Sequence, residues 1–146
     1  RGKSMSQYHQ DFYAWTQEQA QLLKVGQLSA IDIENIIEEI ESMGRSEKRE
    51  LSSRLTVLLM HLLKWHYQEA YRSHSWVLTI NEQRDELKEL IHDNPSLKPW
   101  LDDVIKESYE KAKVKAERET GISKKVFIEA CPWTLVQIFD EAFLPE

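Results

Sequence analysis

Apolar residues recur three and four positions apart along almost the whole chain, which is the spacing of amphipathic α-helices. Six helical segments follow from this spacing and from the residues that interrupt it. The first spans about residues 8–25, and the second follows an N-cap at Ser29 and ends at Gly44. The third runs from Ser46 to about residue 71. The remaining segments cover about residues 76–92, residues 96–121 and a short stretch that begins at Pro132.

The third segment is the most apolar, and its leucines surround much of its circumference, so neighbouring helices must cover it on several sides. These leucines are Leu51, Leu55, Leu58, Leu59, Leu62 and Leu63. The second segment has one apolar stripe and a nearly continuous carboxylate face. That stripe consists of Ile33, Ile36, Ile37, Ile40 and Met43. Together these patterns predict an all-α fold: an antiparallel bundle of about five helices plus a short C-terminal helix, with a long central third helix.

The chain has 146 residues and only 4 Gly and 4 Pro, too few for the many turns of a β-protein. No repeat, low-complexity tract or long linker divides it. We therefore predict a single all-helical domain over residues 5–146. Residues 1–4 precede Met5 and are interpreted as an expression scar.

The formal net charge is -6, and the excess of acid lies in the first third of the chain. This balance argues against a surface for nucleic acid or anionic lipid, since both need clustered Lys and Arg. No apolar run approaches the roughly 18 residues of a membrane span, so no membrane partner is predicted. The single Cys131 cannot form an intramolecular disulfide, which fits a reducing cytoplasm.

One face of the third segment carries a row of polar and aromatic side chains, here called the polar seam. It consists of Arg54, His61, Trp65, Gln68 and Arg72, spaced seven, four, three and four residues apart. Buried polar groups need partners, and Glu34 and Glu41 on the second segment are the candidates. The functional interpretation is a small pocket with a Trp65 floor and arginines that bind an anion. The alternative is an internal hydrogen-bond network or an exposed strip of the helix.

Metal chemistry has weaker support in the sequence. His61 and His66 point about 140° apart on one helix, so they cannot share a metal ion. Glu89 and His92 have the Glu-x-x-His spacing of di-iron bundles, but only one copy exists and it lies opposite the apolar face. We predict no metal and no cofactor.

Two further arrangements remain open. Carboxylate pairs at Glu38 and Glu41 and at Glu82 and Asp85 could supply the Mg²⁺ ligands of a helical nucleotide hydrolase, although such acidic faces are usually solvated. Cys131 precedes Pro132 at a predicted helix start, a setting that can activate a thiol. No His follows nearby, which favours an inert thiol.

Several short blocks, taken together, resemble domain of unknown function family 29 (DUF29), which is mainly cyanobacterial. They are IENIIEEIE at residues 33–41, HLLKW at 61–65, SW at 75–76, PSLKP at 95–99, ETG at 119–121 and CPWT at 131–134. The resemblance spans about residues 8–146. It implies an all-helical fold in a small intracellular bacterial protein, and it implies no activity, cofactor or catalytic residue.

The leading functional hypothesis is therefore a non-catalytic cytoplasmic domain that acts through protein contacts, including self-association, on an aromatic and acidic surface. Five Trp residues exceed what a core of this size needs. One alternative is a small-ligand binder or enzyme that uses the polar seam. The other is the Mg-dependent nucleotide hydrolase.

Overall fold

The computed structural model describes residues 7–146, and every regular element in that range is helical. Residues 7–10 form a helical turn. The α-helices that follow are α1 (Phe12–Lys24), α2 (Ile33–Tyr67), α3 (His74–Asp93), α4 (Leu101–Thr120) and α5 (Leu135–Phe139). Short 3₁₀-helices at Leu28–Ala30, Glu69–Tyr71 and Pro95–Trp100 lie between them. The predicted all-helical fold, with its long central helix and short C-terminal helix, is confirmed; the predicted expression scar lies outside the described residues.

Helix α2 is 35 residues long and unites the predicted second and third segments. The prediction that Gly44 ends a helix is therefore wrong. Gly26 and Gly121 follow helix ends with positive φ angles of 79° and 77°, whereas Gly44 keeps a negative, helical φ. A glycine inside a helix is about 1 kcal/mol less favourable than alanine, and the charged residues on both sides are good helix formers that carry the helix through it.

Helix starts also differ from prediction at several places. Helix α4 begins at Leu101 rather than at residue 96, because residues Pro95–Trp100 form a 3₁₀-helix. Ser29 lies within a 3₁₀-helix, and α2 begins only at Ile33. The last helix begins at Leu135 rather than at Pro132. Its start is set by a capping box, in which the Thr134 hydroxyl accepts from the Gln137 N–H (3.1 Å) and the Gln137 amide oxygen accepts from the Thr134 N–H (2.9 Å).

The chain divides into two compact units, Arg1–Ser46 and Glu47–Glu146. The second unit contains the apolar core, to which α2, α3 and α4 all contribute. Its fully buried members are Leu51, Leu55, Leu58, Leu59, Leu62, Ile80, Leu87, Ala112, Ala116 and Ile138. The prediction that leucines of the central helix are enclosed on several sides is thus confirmed. The single domain over residues 5–146 stays a prediction.

Polar contacts give the helix directions within residues 47–146. Asn94, just after α3, donates to Glu47 (3.4 Å), so the end of α3 meets the beginning of this stretch of α2. Lys64 near the end of α2 pairs with Glu119 near the end of α4 (2.8 Å). Helix α3 is therefore antiparallel to α2 and α4, as short connections between successive helices require.

Residues 7–46 are held together mainly by polar and aromatic contacts. The buried Trp15 donates its indole N–H to Asp32 (3.0 Å), and the side-chain oxygen of buried Gln19 accepts from the Asp32 backbone N–H (2.7 Å). The Tyr8 hydroxyl donates to Glu39, and this hydrogen bond is the main cause that raises the pKa of Tyr8 to about 12. These bonds fasten the chain before and within α1 to the first turns of α2.

Candidate functional site

The structure separates the polar seam into groups with different partners. Arg54 is about one quarter exposed and lies between α2 and α3. Its guanidinium donates to Glu50 (2.9 Å) and Gln83 (3.2 Å) and lies 3.5 Å from Glu86. Glu41, the predicted partner on a separate helix, belongs to the same helix as Arg54 and has an exposed side chain. The Arg54 charge is therefore neutralised by α2 and α3, which places it in an interhelical network.

Arg72 and Trp65 are brought together at the end of α2. The Arg72 guanidinium lies 4.9 Å from the Trp65 ring centre, and its Nε donates to the Trp65 carbonyl (2.8 Å). Its Nη2 donates to the backbone oxygen of Glu146 (2.6 Å). Gln68 is half-buried and directly precedes the Glu69–Tyr71 3₁₀-helix. This part of the seam fastens the last described residue to the helical core.

His61 is half-buried on α2, and its Nδ1 donates to the carbonyl of Val57 (2.9 Å), one turn earlier. Burial lowers the pKa of His61 below its ordinary value of 6.5, and the nearby Lys64 ammonium lowers it further. The hydrogen bond to Val57 and the Glu119 carboxylate oppose this shift. The imidazole is therefore neutral near pH 7 and is oriented by its own helix.

This depressed pKa predicts a pH dependence of folding. As the pH falls through about 6.5, the unfolded chain binds a proton at His61 before the folded chain does, so the free energy of unfolding decreases. His61→Gln is expected to remove this part of the decrease. Urea unfolding at about pH 7.5 and about pH 5.5 measures it, with His92→Gln at an exposed position as the matched control. An equal decrease in wild type and His61→Gln would contradict the prediction.

The other candidate chemistries lack a suitable geometry within residues 7–146. No group of three or more His, Cys, Asp or Glu side chains in that range is placed to hold a metal ion. Glu38 pairs with Arg45 (2.9 Å), and the His92 side chain is 87% exposed. Cys131 precedes no helix start, since α5 begins at Leu135, and burial raises the pKa of its thiol. A raised pKa favours the inert interpretation of this cysteine.

A cavity of about 550 Å³ lies in the second unit, between α4 and the connection that follows it. Its one buried charge is Lys113, whose ammonium donates to the Glu129 carbonyl (2.7 Å) and pairs with Glu110 (3.0 Å). Both contacts use groups of the cavity wall. The geometry thus satisfies the buried lysine with groups of the chain itself.

Sequence reasoning missed Arg84, the largest fully buried side chain. Its guanidinium donates to three carbonyls of the C-terminal segment: Ile138 (2.7 Å), Phe143 (2.9 Å) and Gln137 (3.2 Å). Burial lowers the pKa of Arg84, although an arginine stays protonated in a protein. Its position in the sequence could have indicated its burial, because Arg84 lies on the same inward stripe of α3 as Ile80, Leu87 and Leu90.

The five tryptophans do not form an exposed aromatic surface. Trp15 is buried, and three others lie under cations of this chain. Lys48 lies 3.9 Å from the Trp100 ring centre and Lys64 lies 4.8 Å from that of Trp76, while Arg72 covers Trp65 as described above. Besides exposed aromatic residues such as Tyr13, Tyr71 and Trp100, the structure exposes an aliphatic surface.

The first part of α2 carries that aliphatic surface, here called the α2 stripe: Ile33, Ile37, Ile40 and Met43. These side chains are 50–62% exposed. The periodicity of the second predicted segment is therefore confirmed, and these four side chains keep half or more of their surface exposed. Carboxylates at Glu34, Glu38 and Glu41 lie along one border of the stripe, as an angle of about 100° per residue places them.

No helix among residues 7–146 is both long enough and apolar enough to cross a lipid bilayer. No curated protein and no solved structure matches the chain. The family model described as "Domain of unknown function DUF29" matches residues 7–144, which is nearly the whole chain and includes both the α2 stripe and the polar seam. The protein is therefore a member of the DUF29 family.

Proposed function

We propose that this DUF29 protein is a protein-interaction domain whose binding surface is the α2 stripe. The observation that carries the proposal is the exposure of four large aliphatic side chains on consecutive turns of one helix. Contiguous apolar patches on a solvent-exposed protein surface, bordered by polar residues, are typical of binding sites for other proteins.

The uneven distribution of apolar side chains supports the proposal. Among residues 7–46, Trp15 is the only buried apolar side chain, whereas nine large apolar side chains are exposed. Residues 47–146 have the reverse pattern, with nineteen buried and seven exposed. A partner that covers the first unit would remove from water the apolar surface that folding leaves exposed.

The alternatives have less support. A ligand site or enzyme on the polar seam would need free polar groups, but Arg54 and Arg72 bind groups of their own chain. A nucleotide hydrolase would need converging carboxylates, and Glu38 is paired with Arg45. We also place the interaction in the bacterial cytoplasm, where the free thiol of Cys131 fits a reducing environment.

In-cell photocrosslinking tests the proposal. p-Benzoylphenylalanine is introduced in place of Ile40 on the stripe or, as a matched control, in place of Leu78, an equally exposed aliphatic residue on α3. We expect a discrete protein adduct from position 40 alone when cells of the source organism are irradiated. The adduct partner is then identified by mass spectrometry and bound again with purified proteins.

In that purified system, Ile40→Asp is expected to weaken binding at least about tenfold, because a carboxylate would be buried among apolar side chains. Leu78→Asp should leave binding unchanged. Absence of an adduct at position 40, or equal adducts at both positions, would overturn the proposed function.

A further inference from the structure

Building on the proposed function, we infer that the α2 stripe binds a basic amphipathic helix, and that this helix approaches α2 most closely at Gly44. The inference rests on three features of α2: the spacing of its exposed residues, the charge along its border, and the open space at one glycine.

The spacing matches a partner helix. Ile33, Ile37, Ile40 and Gly44 follow one another at intervals of four, three and four residues, which is the repeat of the a and d positions in a coiled coil. Positions with this repeat form a nearly straight row along a helix. The complementary ligand is a second helix that inserts apolar side chains between the isoleucines, rather than an extended peptide.

The negative charge along the border of the α2 stripe indicates that the partner helix is positively charged. Glu34 and Glu41 directly follow two residues of the row, and in a coiled coil this position faces the border of a partner helix. Residues 7–46 contain seven carboxylates and two basic side chains. Lys or Arg along the partner's border would face these carboxylates, whereas a second copy of this unit would bring the same acidic border to the interface.

Gly44 indicates where the helices come closest. Apart from its chain neighbours and its own helix backbone, a Cβ atom added at Gly44 would meet no atom within 4 Å. Its φ angle is not positive, so neither packing nor backbone conformation requires glycine there. Its lack of a side chain leaves a notch at the end of the isoleucine row. A large apolar side chain of the partner would fill this notch as the helix axes approach.

Binding of two synthetic helical peptides tests the inference. One has Leu at positions a and d and Lys at positions e and g; its twin has Glu in place of every Lys. We expect the Lys peptide to bind at least about tenfold more tightly than the Glu peptide in fluorescence anisotropy, with a smaller ratio at about 0.5 M salt. Ile40→Asp should abolish binding of the Lys peptide, Glu41→Lys should weaken it, and Leu78→Asp should not change it.

Gly44→Ala tests the role of the notch in binding independently of any loss of folding stability. Alanine is the better helix former, so the melting temperature is expected to rise by about 2–4 °C. The added methyl group fills the notch, so binding of the Lys peptide should weaken at least about threefold. A stabilised variant that binds as wild type does would exclude close approach at Gly44.

Other outcomes overturn the identity of the partner while leaving the proposed function intact. Equal binding of the two peptides would show that charge does not select the ligand. A dimer in sedimentation equilibrium that Ile40→Asp dissociates would assign the stripe to a second copy of this chain. A crosslinked partner at position 40 that binds through an acidic or non-helical segment would show that the ligand is not a basic helix. If no adduct forms at position 40, both proposals fail.

Discussion

Arg84→Ala is expected to lower the free energy of unfolding by about 3–5 kcal/mol, because it removes the hydrogen bonds to three carbonyl groups and also a large buried side chain. The carbonyls belong to Ile138, Phe143 and Gln137, so the loss should concentrate in the C-terminal segment. Urea unfolding measures the free energy. Limited proteolysis should show faster cleavage within residues 134–146.

Two variants make this expectation specific. Arg118→Ala removes an exposed arginine of α4 and should change the free energy of unfolding by less than about 0.5 kcal/mol. Arg84→Lys retains the charge but replaces the planar set of five N–H donors with a single ammonium group, so it should recover only part of the loss. A free energy within about 1 kcal/mol of wild type for Arg84→Ala would show that the three hydrogen bonds contribute little.

The sequence predicted helices well where local chemistry decides their limits. The end of α4 at Gly121 followed from a glycine that can adopt a positive φ angle, and the structure has φ 77° there. The same rule failed at Gly44, because a glycine ends a helix only when the chain beyond it turns away. Whether it turns depends on what the following residues pack against, and for α2 those contacts are with α3 and α4.

The candidate site was predictable only as far as one helix face extends. The spacing of Arg54 and Arg72 placed them on one face of the predicted third segment, but Arg72 lies beyond the end of α2. Their partners include Gln83 on α3 and the backbone of Glu146. Likewise, the inward position of Arg84 was visible in the sequence, whereas three carbonyls some 53–59 residues later were not. Helical periodicity identifies a face but carries no information on distant partners.

The α2 stripe also shows that helical periodicity does not identify what packs against a helix face. Its periodicity predicted an amphipathic helix, and in a bundle such a face is expected to be buried. The structure leaves Ile37 and Ile40 about half exposed. An apolar stripe in a sequence therefore predicts a surface that is stabilised by burial. Whether the same chain or another molecule buries it depends on the fold.

Leu59→Ala is expected to lower the free energy of unfolding by about 2–5 kcal/mol, since it leaves a cavity in the most enclosed part of α2. Leu59 has no exposed surface, and the neighbouring Leu55, Leu58 and Leu62 are equally inaccessible, so little relaxation can fill the space. Leu78→Ala makes the same chemical change at a side chain that is 55% exposed, and we expect an effect below about 0.5 kcal/mol. Urea unfolding and amide hydrogen exchange measure both variants. Similar losses for the two would mean that the stretch of α2 around Leu59 is not the core on which the α3 and α4 helices depend.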